Sequence, residues 1–499
     1  MKNKIFFWVL LSAFTGISNL YAQQLKTLMG ETVSYSKTHY FSFAGYDDAN
    51  FYLLEFDKNK SGVRADITAF NRRTMKKIFS KPVVVPDFNG DKFSLNEILF
   101  SEDRILIFYS FYSKEDKLQQ LMATYYATDG TPSGKAVEVF RASGKTKAKS
   151  GHFRVTSSDN RKYFLVWHHP SAYGLGENMF GEYTVEILNT DLETLYEKES
   201  MLEKYSADLK RIMIHNNGNA YIFGHQLGRG KEEENFIKFI SHGTKTEKQV
   251  GIGGKFKIKT FAAGSDFYVD DKGTVYFIGL YSLTYDENKT KGIYIARLQE
   301  DGSIKNDAII PYTLTDDKKP KSDKKNVTKE YYSIRDVKFR EGNISILSCK
   351  NWIVAGNTDI TTVKFGEGMF QYTVDYNFNM LNETFVSRNQ TGAKEEKEMA
   401  FDIPFFNSEA SYLLFNDTKE NMESENPEVK AIKKFTGKAI AQLVSFKPDG
   451  RFIKEPLFTE QSLSKRLLIP ERYLKMDKNE VVILTKLGEG YKLCKVFLE

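Results

Sequence analysis

A short pattern recurs eight times along the 499 residues of this chain. Each copy is a polar turn rich in Asp, Asn and Gly, followed at once by a run of apolar or aromatic residues. The runs begin at Phe51, Ile105, Tyr163, Ala220, Val275, Ile344, Tyr412 and Val481, at spacings of 54, 58, 57, 55, 69, 68 and 69 residues. A chain with such a period is built from equivalent modules and not from unlike domains.

The centre of each unit is predicted to be a β-hairpin. Asp, Asn and Gly tolerate the positive φ that tight hairpin turns require, and a short unbroken apolar run suits a strand that is covered on both faces. Most units continue with a second, alternating strand and another turn, as in Leu121–Tyr126 before Asp129 and Gly130, or Ile293–Leu298 before Asp301 and Gly302. Each unit therefore reads as a meander of about four strands.

This organisation resembles the β-propeller fold in general, over residues 23–499. The resemblance implies an all-β chain that forms a single propeller domain with one blade per unit, and so eight blades. Seven blades with an appended hairpin is the alternative. The sequence lacks the Gly-His and Trp-Asp signature, the sialidase box and the kelch double glycine, so no named propeller family is matched and no activity is implied.

The two ends of the chain predict how the ring closes. After Val481–Leu484 the chain holds only one further strand pattern, Tyr491–Phe497, which leaves the last unit one strand short. Leu25–Ser36, before the first unit, is a spare strand. We expect this N-terminal strand to complete the C-terminal blade, because that pairing covers two open sheet edges.

The first 22 residues have the layout of a secretory signal peptide. Lys2 and Lys4 precede the apolar stretch Ile5–Leu11, and the small residue Ala22 offers a cleavage point before Gln23. We therefore expect an exported protein, periplasmic or extracellular, without a membrane span. Cys349 and Cys494 are two units apart, so small buried thiols are expected and stability must come from packing.

Composition names no partner. The net charge is +6, from 71 Lys and Arg against 65 Asp and Glu, which does not favour nucleic acid. The sequence contains none of the common motifs for nucleophilic serine, zinc, phosphate or dinucleotide chemistry, so no cofactor, no metal and no catalytic residue is assigned. We expect a monomeric, non-catalytic protein that binds a macromolecule or glycan, and the alternative is a hydrolase or lyase acting on an extracellular polymer at the central channel mouth.

Loop length predicts which face binds. With strands A to D counted outward in each blade, A–B and C–D turns lie on one face, here called the A–B face, and B–C loops and D–A crossovers lie on the other, the B–C face. The A–B turns are all short, whereas units three to seven have long B–C loops at 168–179, 225–234, 280–291, 350–366 and 416–438. Long loops tend to carry binding residues, although neutral insertion is the alternative.

Three other segments allow more than one interpretation. The D–A crossovers at 316–325, which is basic, and 388–397, which is mixed in sign, are expected to be solvated, and attraction to an acidic polymer is the alternative. Residues 194–210 fit either a strand or a short helix.

The candidate ligand-binding residues are aromatic. His168 and His225 follow the central run at equivalent places in units three and four, where a metal or acid–base role competes with that of ordinary rim residues. His169 begins a loop. Tyr173, Tyr281, Tyr285 and Trp352 are predicted to lie in the long loops, where flat rings stack on sugars or plug the channel mouth.

Overall fold

The structure is a computed structural model. It does not describe the N-terminal 24 residues or several shorter stretches. The described residues are 25–36, 38–59, 62–84, 94–101, 104–143, 151–169, 182–201, 206–227, 233–252, 256–262, 264–270, 272–286, 289–299, 303–312, 327–354, 362–388, 390–392, 399, 402–406, 411–423, 435, 439–447, 449–461, 463–476 and 479–498.

The described strands form eight separate antiparallel sheets, which are the blades of a β-propeller. The first strand is β1 (Leu25–Val33). Blade 1 contains β2 (His39–Tyr46), β3 (Asn50–Asn59), β4 (Gly62–Asn71) and β5 (Lys77–Pro82). Blade 2 contains β6 (Ser94–Ser101), β7 (Arg104–Ser113), β8 (Leu118–Ala127) and β9 (Pro132–Ser143). Blade 3 contains β10 (His152–Ser157), β11 (Tyr163–His169), β12 (Glu182–Asn189) and β13 (Thr194–Met201). Blade 4 contains β14 (Ser206–Ile214), β15 (Ala220–Leu227), β16 (Glu233–Ser241) and β17 (Thr246–Gly251).

The later blades depart slightly from this plan. Blade 5 divides its inner strand into β18 (Thr260–Phe261) and β19 (Asp266–Val269), followed by β20 (Val275–Ser282), β21 (Thr290–Leu298) and β22 (Ile304–Pro311). Blade 6 contains β23 (Val327–Arg340), β24 (Asn343–Val354), β25 (Thr362–Asp375), β26 (Met380–Ser387) and the extra β27 (Gln390–Gly392). Blade 7 contains β28 (Asp402–Phe406), β29 (Ser411–Thr418), the helix α1 (Lys419–Glu423), β30 (Ala439–Phe446) and β31 (Phe452–Pro456). Blade 8 contains β32 (Leu467–Lys475), β33 (Glu480–Leu487) and β34 (Gly490–Leu498).

The ring closes as the sequence predicts. Strand β1 pairs antiparallel with β34, from Leu25 opposite Leu498 to Val33 opposite Tyr491. It is therefore the outermost strand of blade 8, in the sheet order β1-β34-β33-β32. The prediction that the N-terminal strand completes the C-terminal blade is confirmed.

The unbroken apolar runs of the second strands follow from blade stacking. Successive side chains of a strand point to opposite faces of its sheet. In β3, Phe51 and Leu53 pack against blade 8, whereas Tyr52 and Leu54 pack against blade 2. Both faces of a blade are thus buried, and no position in the run can be polar without cost.

A hydrophobic cluster fills each of the eight junctions between neighbouring blades. The junction of blades 8 and 1 is one of them and joins Leu467, Ile469 and Val482 to Phe41 and Phe51. The inner strands of these two blades, β32 and β2, are also in contact. Eight equivalent junctions confirm the eight-bladed ring over the seven-bladed alternative.

The strand map also settles the open segments that it covers. The stretch 194–210 is strand where described, within β13 and β14.

Cys349 in blade 6 and Cys494 in blade 8 are both buried and free. The connections after the second strands are longest in blades 3 and 7, at 170–181 and 419–438, and shorter in blades 5 and 6, at 283–289 and 355–361. The connection of blade 4, at 228–232, is only one residue longer than that of blade 2, at 114–117, because the flanking strands reach further than expected. No helix in the described part of the chain has the length and apolar character to cross a membrane.

Candidate functional site

The inner strands, which line the central channel, are interrupted at a similar level in six blades. A β-bulge turns a side chain out of the regular alternation and is common beside functional sites. In blade 5 the inner strand is split between β18 and β19. In the other five blades the pairing register shifts between Phe43 and Gly45, Leu95 and Glu97, Leu209 and Arg211, Ile334 and Asp336, and Ile469 and Tyr473.

Acidic residues follow three of these interruptions and share one local geometry. The carboxylates of Glu97, Asp266 and Asp336 each accept a hydrogen bond from the backbone N–H of the next residue, at 3.1, 2.7 and 2.9 Å. The bulge and this hydrogen bond together fix where each carboxylate points. Blades 2, 5 and 6 thus carry matched acidic positions at the channel wall.

Two of these carboxylates are held by cations from other blades. Arg211 of blade 4 donates to Asp266 of blade 5. Lys475 of blade 8 donates to Asp336 of blade 6. Because blades 8 and 6 are not neighbours, the Lys475–Asp336 ion pair passes in front of the inner edge of blade 7 and lies in the channel.

Glu97 differs from the other two carboxylates. Its side chain is exposed and has no cationic partner among the described residues. Removal from bulk water nevertheless raises the pKa of Glu97, although the Ile98 N–H lowers it. An exposed carboxyl that is nevertheless partly desolvated, as Glu97 is, fits the wall of a narrow, water-filled channel. Nearby, Tyr268 is half-buried and its hydroxyl donates to the Gly264 carbonyl at 2.9 Å; desolvation, followed by the Asp266 carboxylate, raises its pKa.

A buried ion-pair network joins blades 6 and 7 near the B–C face. Asp402, the first residue of β28, accepts hydrogen bonds from Arg335 Nε at 2.7 Å and from Arg388 Nη1 at 2.9 Å. The side chains of Asp402 and Arg388 are only 3% and 1% exposed. Burial alone would raise the pKa of Asp402, but the two guanidinium groups outweigh it and hold the pKa at about 2. The Cys349 thiol also donates to this carboxylate, at 3.0 Å.

A second buried polar group anchors the base of the long connection in blade 7. The Asp417 carboxylate accepts hydrogen bonds from Thr418 N–H and Asn421 Nδ2, both at 2.7 Å. Gln442 Nε2 donates to the Thr418 carbonyl at 2.9 Å. Burial raises the pKa of Asp417 to about 6. Within the described residues, Asp417 Oδ2 and Gln442 Oε1 have no hydrogen-bond donor, so the base of this connection has two unused acceptors.

An arginine bridges blades 1 and 3 at the opposite, A–B face. Arg161, in the A–B turn of blade 3, donates from Nη1 to the Tyr46 carbonyl of blade 1 at 2.8 Å, and its guanidinium lies 4.5 Å from the centre of the Tyr46 ring. Arg161 has a φ of 61°, in the left-handed region that glycine occupies in the matching turns at Gly218 and Gly273. A side chain at such a position costs conformational energy, which favours a specific role for this contact.

Of the sequence-predicted histidines, His168 and His225 lie where expected along the chain, and His169 does not. His168 and His225 occupy equivalent positions near the ends of β11 and β15, in neighbouring blades. The His168 ring is buried and stacks on Phe140 of blade 2 at 5.2 Å, so it points away from blade 4. His169 ends β11 and does not begin the loop, and its ring stacks on Trp167 at 5.4 Å. Burial lowers the pKa of His169, as do His168 and His152.

The predicted loop aromatics have different surroundings. Tyr285 does lie in the B–C connection of blade 5 and is 50% exposed. The loop assignment of Tyr281 and Trp352 is wrong, because the first is in β20 and the second in β24, strands that continue beyond the apolar runs. Tyr281 is 3% exposed and belongs to the cluster between blades 4 and 5. Tyr173 and the basic crossover 316–325 lie outside the described residues, as do the side chains of His225 and Trp352.

Sequence reasoning missed the charged network. The crossover at 388–397 was expected to be solvated, but Arg388 is buried against Asp402, and Gln390–Gly392 forms β27. The deviation at Arg161 has a signal in the sequence, since the repeat alignment places an arginine where the turns of units four and five have glycine. Within the described residues, no three His, Cys, Asp or Glu side chains are grouped to hold a metal ion.

Comparison with known proteins adds no activity. No family model matches the sequence, and no curated protein is similar to it. Among solved structures, the WD40 domain of SCAP from fission yeast has a TM-score of 0.39 at 8% identity, with 95% of this chain and 98% of that chain covered. The polysaccharide lyase Uly1 has a TM-score of 0.37 at 10% identity, over 80% and 89% of the two chains. Prolyl oligopeptidase B from Galerina marginata has 0.40 at 10% identity, with 90% of this chain and 55% of that one covered. Scores this low carry no functional argument, and the eight-bladed ring rests on its own strand pairing.

Proposed function

We propose that this protein is an exported, monomeric, non-catalytic propeller that binds a macromolecule or glycan on its B–C face. The observation that carries the proposal is the contrast between the two faces. The A–B face has short turns and a contact between Arg161 and Tyr46 that bridges blades 3 and 1. The B–C face carries the longer connections of blades 3, 5, 6 and 7 and the five-residue connection of blade 4. Longer connections give a ligand more chain to contact, so the B–C face is the binding face in this proposal.

Blade 5 supplies a contact of the kind that glycans and peptides use. Leu283 and Tyr285 in its B–C connection are 48% and 50% exposed. The ammonium group of Lys259 lies 5.5 Å from the centre of the Tyr285 ring. An exposed ring with a cation beside it offers both stacking and charge, and such amphipathic residues dominate binding energetics.

The paired state of the inner carboxylates supports binding over catalysis. General acid–base chemistry needs a carboxyl group that can take up and release a proton near the working pH. Asp336 is instead paired with Lys475, and Asp402 with Arg335 and Arg388. Asp266 is paired with Arg211, although burial still raises its pKa.

A second candidate function, a hydrolase or lyase acting on an extracellular polymer, is favoured by Glu97 alone. This carboxyl is exposed at the channel wall with a raised pKa, as a general acid or base would be.

The test is retention of the purified protein on immobilised alginate, xylan and isolated cell-wall sacculi. We expect one of these to bind the wild type, and we expect Tyr285→Ala, or deletion of residues 355–361, to weaken binding at least tenfold. Lys245→Ser on the A–B face is the control and should bind like the wild type. Retention that survives both B–C face variants, or no retention on any polymer, contradicts the proposal.

The same samples separate binding from catalysis. Size-exclusion analysis of each polymer after incubation should show no shortening. Shortening by the wild type that is lost in Glu97→Gln would establish the hydrolase or lyase instead. Export is tested separately by N-terminal sequencing of the protein from its native cell, where we expect Gln23 as the first residue.

A further inference from the structure

The C–D turns of several blades insert an apolar side chain into the junction with the preceding blade. In blades 1, 3 and 6 the turn has one residue in the left-handed region, namely Met75, Leu192 and Phe378, with φ of 58°, 62° and 69°. Each is at most 9% exposed and belongs to the hydrophobic cluster shared with the preceding blade. At these three junctions the turn closes the outer rim of the ring.

Blades 2 and 7 have glycine at this place, and the preceding blade fills the space. A Cβ atom on Gly130 would lie 2.5 Å from the ring of Phe79, and one on Gly450 would lie 3.2 Å from Asn382 Oδ1. These two junctions are therefore also filled beside the turn.

Blade 4 departs from this pattern. Its C–D turn is 242–245, and the left-handed residue is Lys245, with φ of 53°, whose side chain is exposed. This turn therefore places no apolar side chain over the outer strand of blade 3. A pocket of about 390 Å³ lies there, lined by residues 194–198 and Lys245, and its volume is in the range of small-molecule sites.

Strand alternation decides which side chains of β13 face this rim pocket. Tyr196 and Lys198 lie opposite residues of the cluster between blades 3 and 4, so both face blade 4. Leu195 packs on the same cluster. Glu197 alternates with them and points toward blade 2. The lining residues that face blade 4 are thus a leucine, a tyrosine and a lysine, with Lys245 on the other side of the pocket.

The charges around the rim pocket favour an anion. Lys198 Nζ lies 2.8 Å from Glu247 Oε2, but an ammonium group has three N–H donors, so others are left for a ligand. Glu247 is also paired with the buried Lys238. With Lys245, three lysines stand against one carboxylate, and a surplus of positive charge in a cleft attracts anions.

A buried hydroxyl adds a donor to the two lysines. Tyr196 is 6% exposed, and its hydroxyl has no hydrogen-bond partner among the described residues. Burial, followed by the Glu247 carboxylate, raises the pKa of Tyr196, so the hydroxyl keeps its proton. An unpaired buried hydroxyl costs free energy, which a ligand oxygen recovers.

We propose that the rim pocket binds a phosphate group, whose oxygens accept hydrogen bonds from Lys198, Lys245 and Tyr196, with the rest of the ligand against Leu195. A phosphate group has three strong acceptor oxygens and a charge near −2, which matches two ammonium groups and a hydroxyl. The site is separate from the B–C face function proposed above, since the C–D turns lie at the A–B face.

The experiment is isothermal titration of the full mature chain with glucose 6-phosphate, inorganic phosphate and glucose. Glucose 6-phosphate should bind saturably, and glucose at least tenfold more weakly. Inorganic phosphate that binds as tightly as the ester identifies the free anion as the ligand, whereas weaker binding identifies a phosphate ester.

Variants assign the donors. Lys245→Ser and Lys198→Gln should each weaken glucose 6-phosphate at least fivefold, and Tyr196→Phe at least twofold. Lys248→Ser is the matched control, because Lys248 is in the same outer strand as Glu247 but faces blade 5, and it should change the affinity less than twofold. Lys245→Ser should still be retained on polymers by the B–C face, so the two proposals fail independently.

A further variant restores the side chain that the other turns carry. Lys245→Leu resembles Leu192 of blade 3 and should abolish phosphate binding, with a Tm by circular dichroism no lower than that of the wild type. No binding of glucose 6-phosphate or phosphate, equal binding of glucose, unchanged affinity in both lysine variants, or a loss in Lys248→Ser as large as in Lys245→Ser each overturns the proposal.

Discussion

The junction between blades 8 and 1 is filled with apolar side chains, whereas the junction between blades 6 and 7 has buried charges at one end. In the first, Phe41, Phe51 and Phe70 pack on Leu467 and Val482. In the second, a smaller apolar cluster is joined by Asp402 with its two arginines. Apolar packing depends on shape and is insensitive to pH, while a buried ion pair depends on both partners staying charged. The closing seam also carries the ion pair between Arg72 and Glu480, at 3.0 Å, whose side chains are 12% and 23% exposed, whereas those of Arg388 and Asp402 are 1% and 3% exposed. We therefore expect the stability of the junction between blades 6 and 7 to depend more strongly on pH than that of the closing seam.

The largest expected effect is at the closing seam. Phe51 is fully buried, so Phe51→Ala leaves a cavity and should lower the free energy of unfolding by about 3–5 kcal/mol. Urea denaturation followed by circular dichroism measures this loss, which we expect to be equal at pH 3 and pH 7. Leu283→Ala, at a side chain 48% exposed, is the control and should change little. A loss that varied strongly with pH would contradict the apolar description of this seam.

The next effect is at the charged junction. Asp402→Asn keeps the shape of the side chain but leaves Arg388, which is 1% exposed, without its counter-charge. We expect a loss of about 3 kcal/mol at pH 7, the range for breaking a buried ion pair. Asp191→Asn removes the carboxylate of an exposed pair with Arg104 and serves as the control. Similar stability of both variants would show that the network contributes little.

The same network predicts an acid-sensitive stability. The pKa of Asp402 is about 2 in the folded chain, below its ordinary value of 3.8. Its stabilisation is therefore complete above pH 4 and is lost as the pH falls from 4 to 2, by roughly 2 kcal/mol. The measurement is the urea midpoint at pH 2, 3, 4 and 5. Asp402→Asn should flatten this profile, and an unchanged slope in the variant would assign the acid limb to other groups.

A buried carboxyl without a cation should behave in the opposite sense. Glu186 in blade 3 is 4% exposed, accepts a hydrogen bond from the Thr194 hydroxyl, and has its pKa raised by burial from 4.5 to about 7. The folded state then holds a proton that the unfolded state releases, so stability falls between pH 4.5 and pH 7. Glu186→Gln should remove this decline, which amounts to roughly 3 kcal/mol. A steeper decline in the variant would reverse the sign of the argument.

The repeat pattern predicts the blades and the closure because each unit carries the same local signals. Polar turns and apolar runs are visible in a few consecutive residues, and the missing last strand follows from comparing both ends. The Asp402 network has no such signal. Arg335 and Asp402 are 67 positions apart in sequence, and the comparable pair of blades 4 and 5, Arg211 and Asp266, is 55 positions apart, so neither pair shows in a few consecutive residues.

The inner-strand bulges were also invisible in the sequence, since one extra residue in a strand leaves its composition unchanged. Strand ends were underestimated for a related reason. In β20 and β24 the backbone pairing continues past the apolar run. Tyr281 and Trp352 lie in these strand extensions, whereas the prediction assigned them to the loops that follow. Hydrophobic patterning reports burial, whereas strand length is decided by backbone hydrogen bonds that polar residues make equally well.

The pairing of Leu25 with Leu498 has a consequence for the order of events during synthesis. The first strand to leave the ribosome is among the last to find its partner, because that partner is made after every other blade. Until then the nascent chain carries an unpaired edge at its leading end. A copy cut short near its C-terminus would keep that edge permanently, which would mark it for capture by chaperones and proteases before it could accumulate.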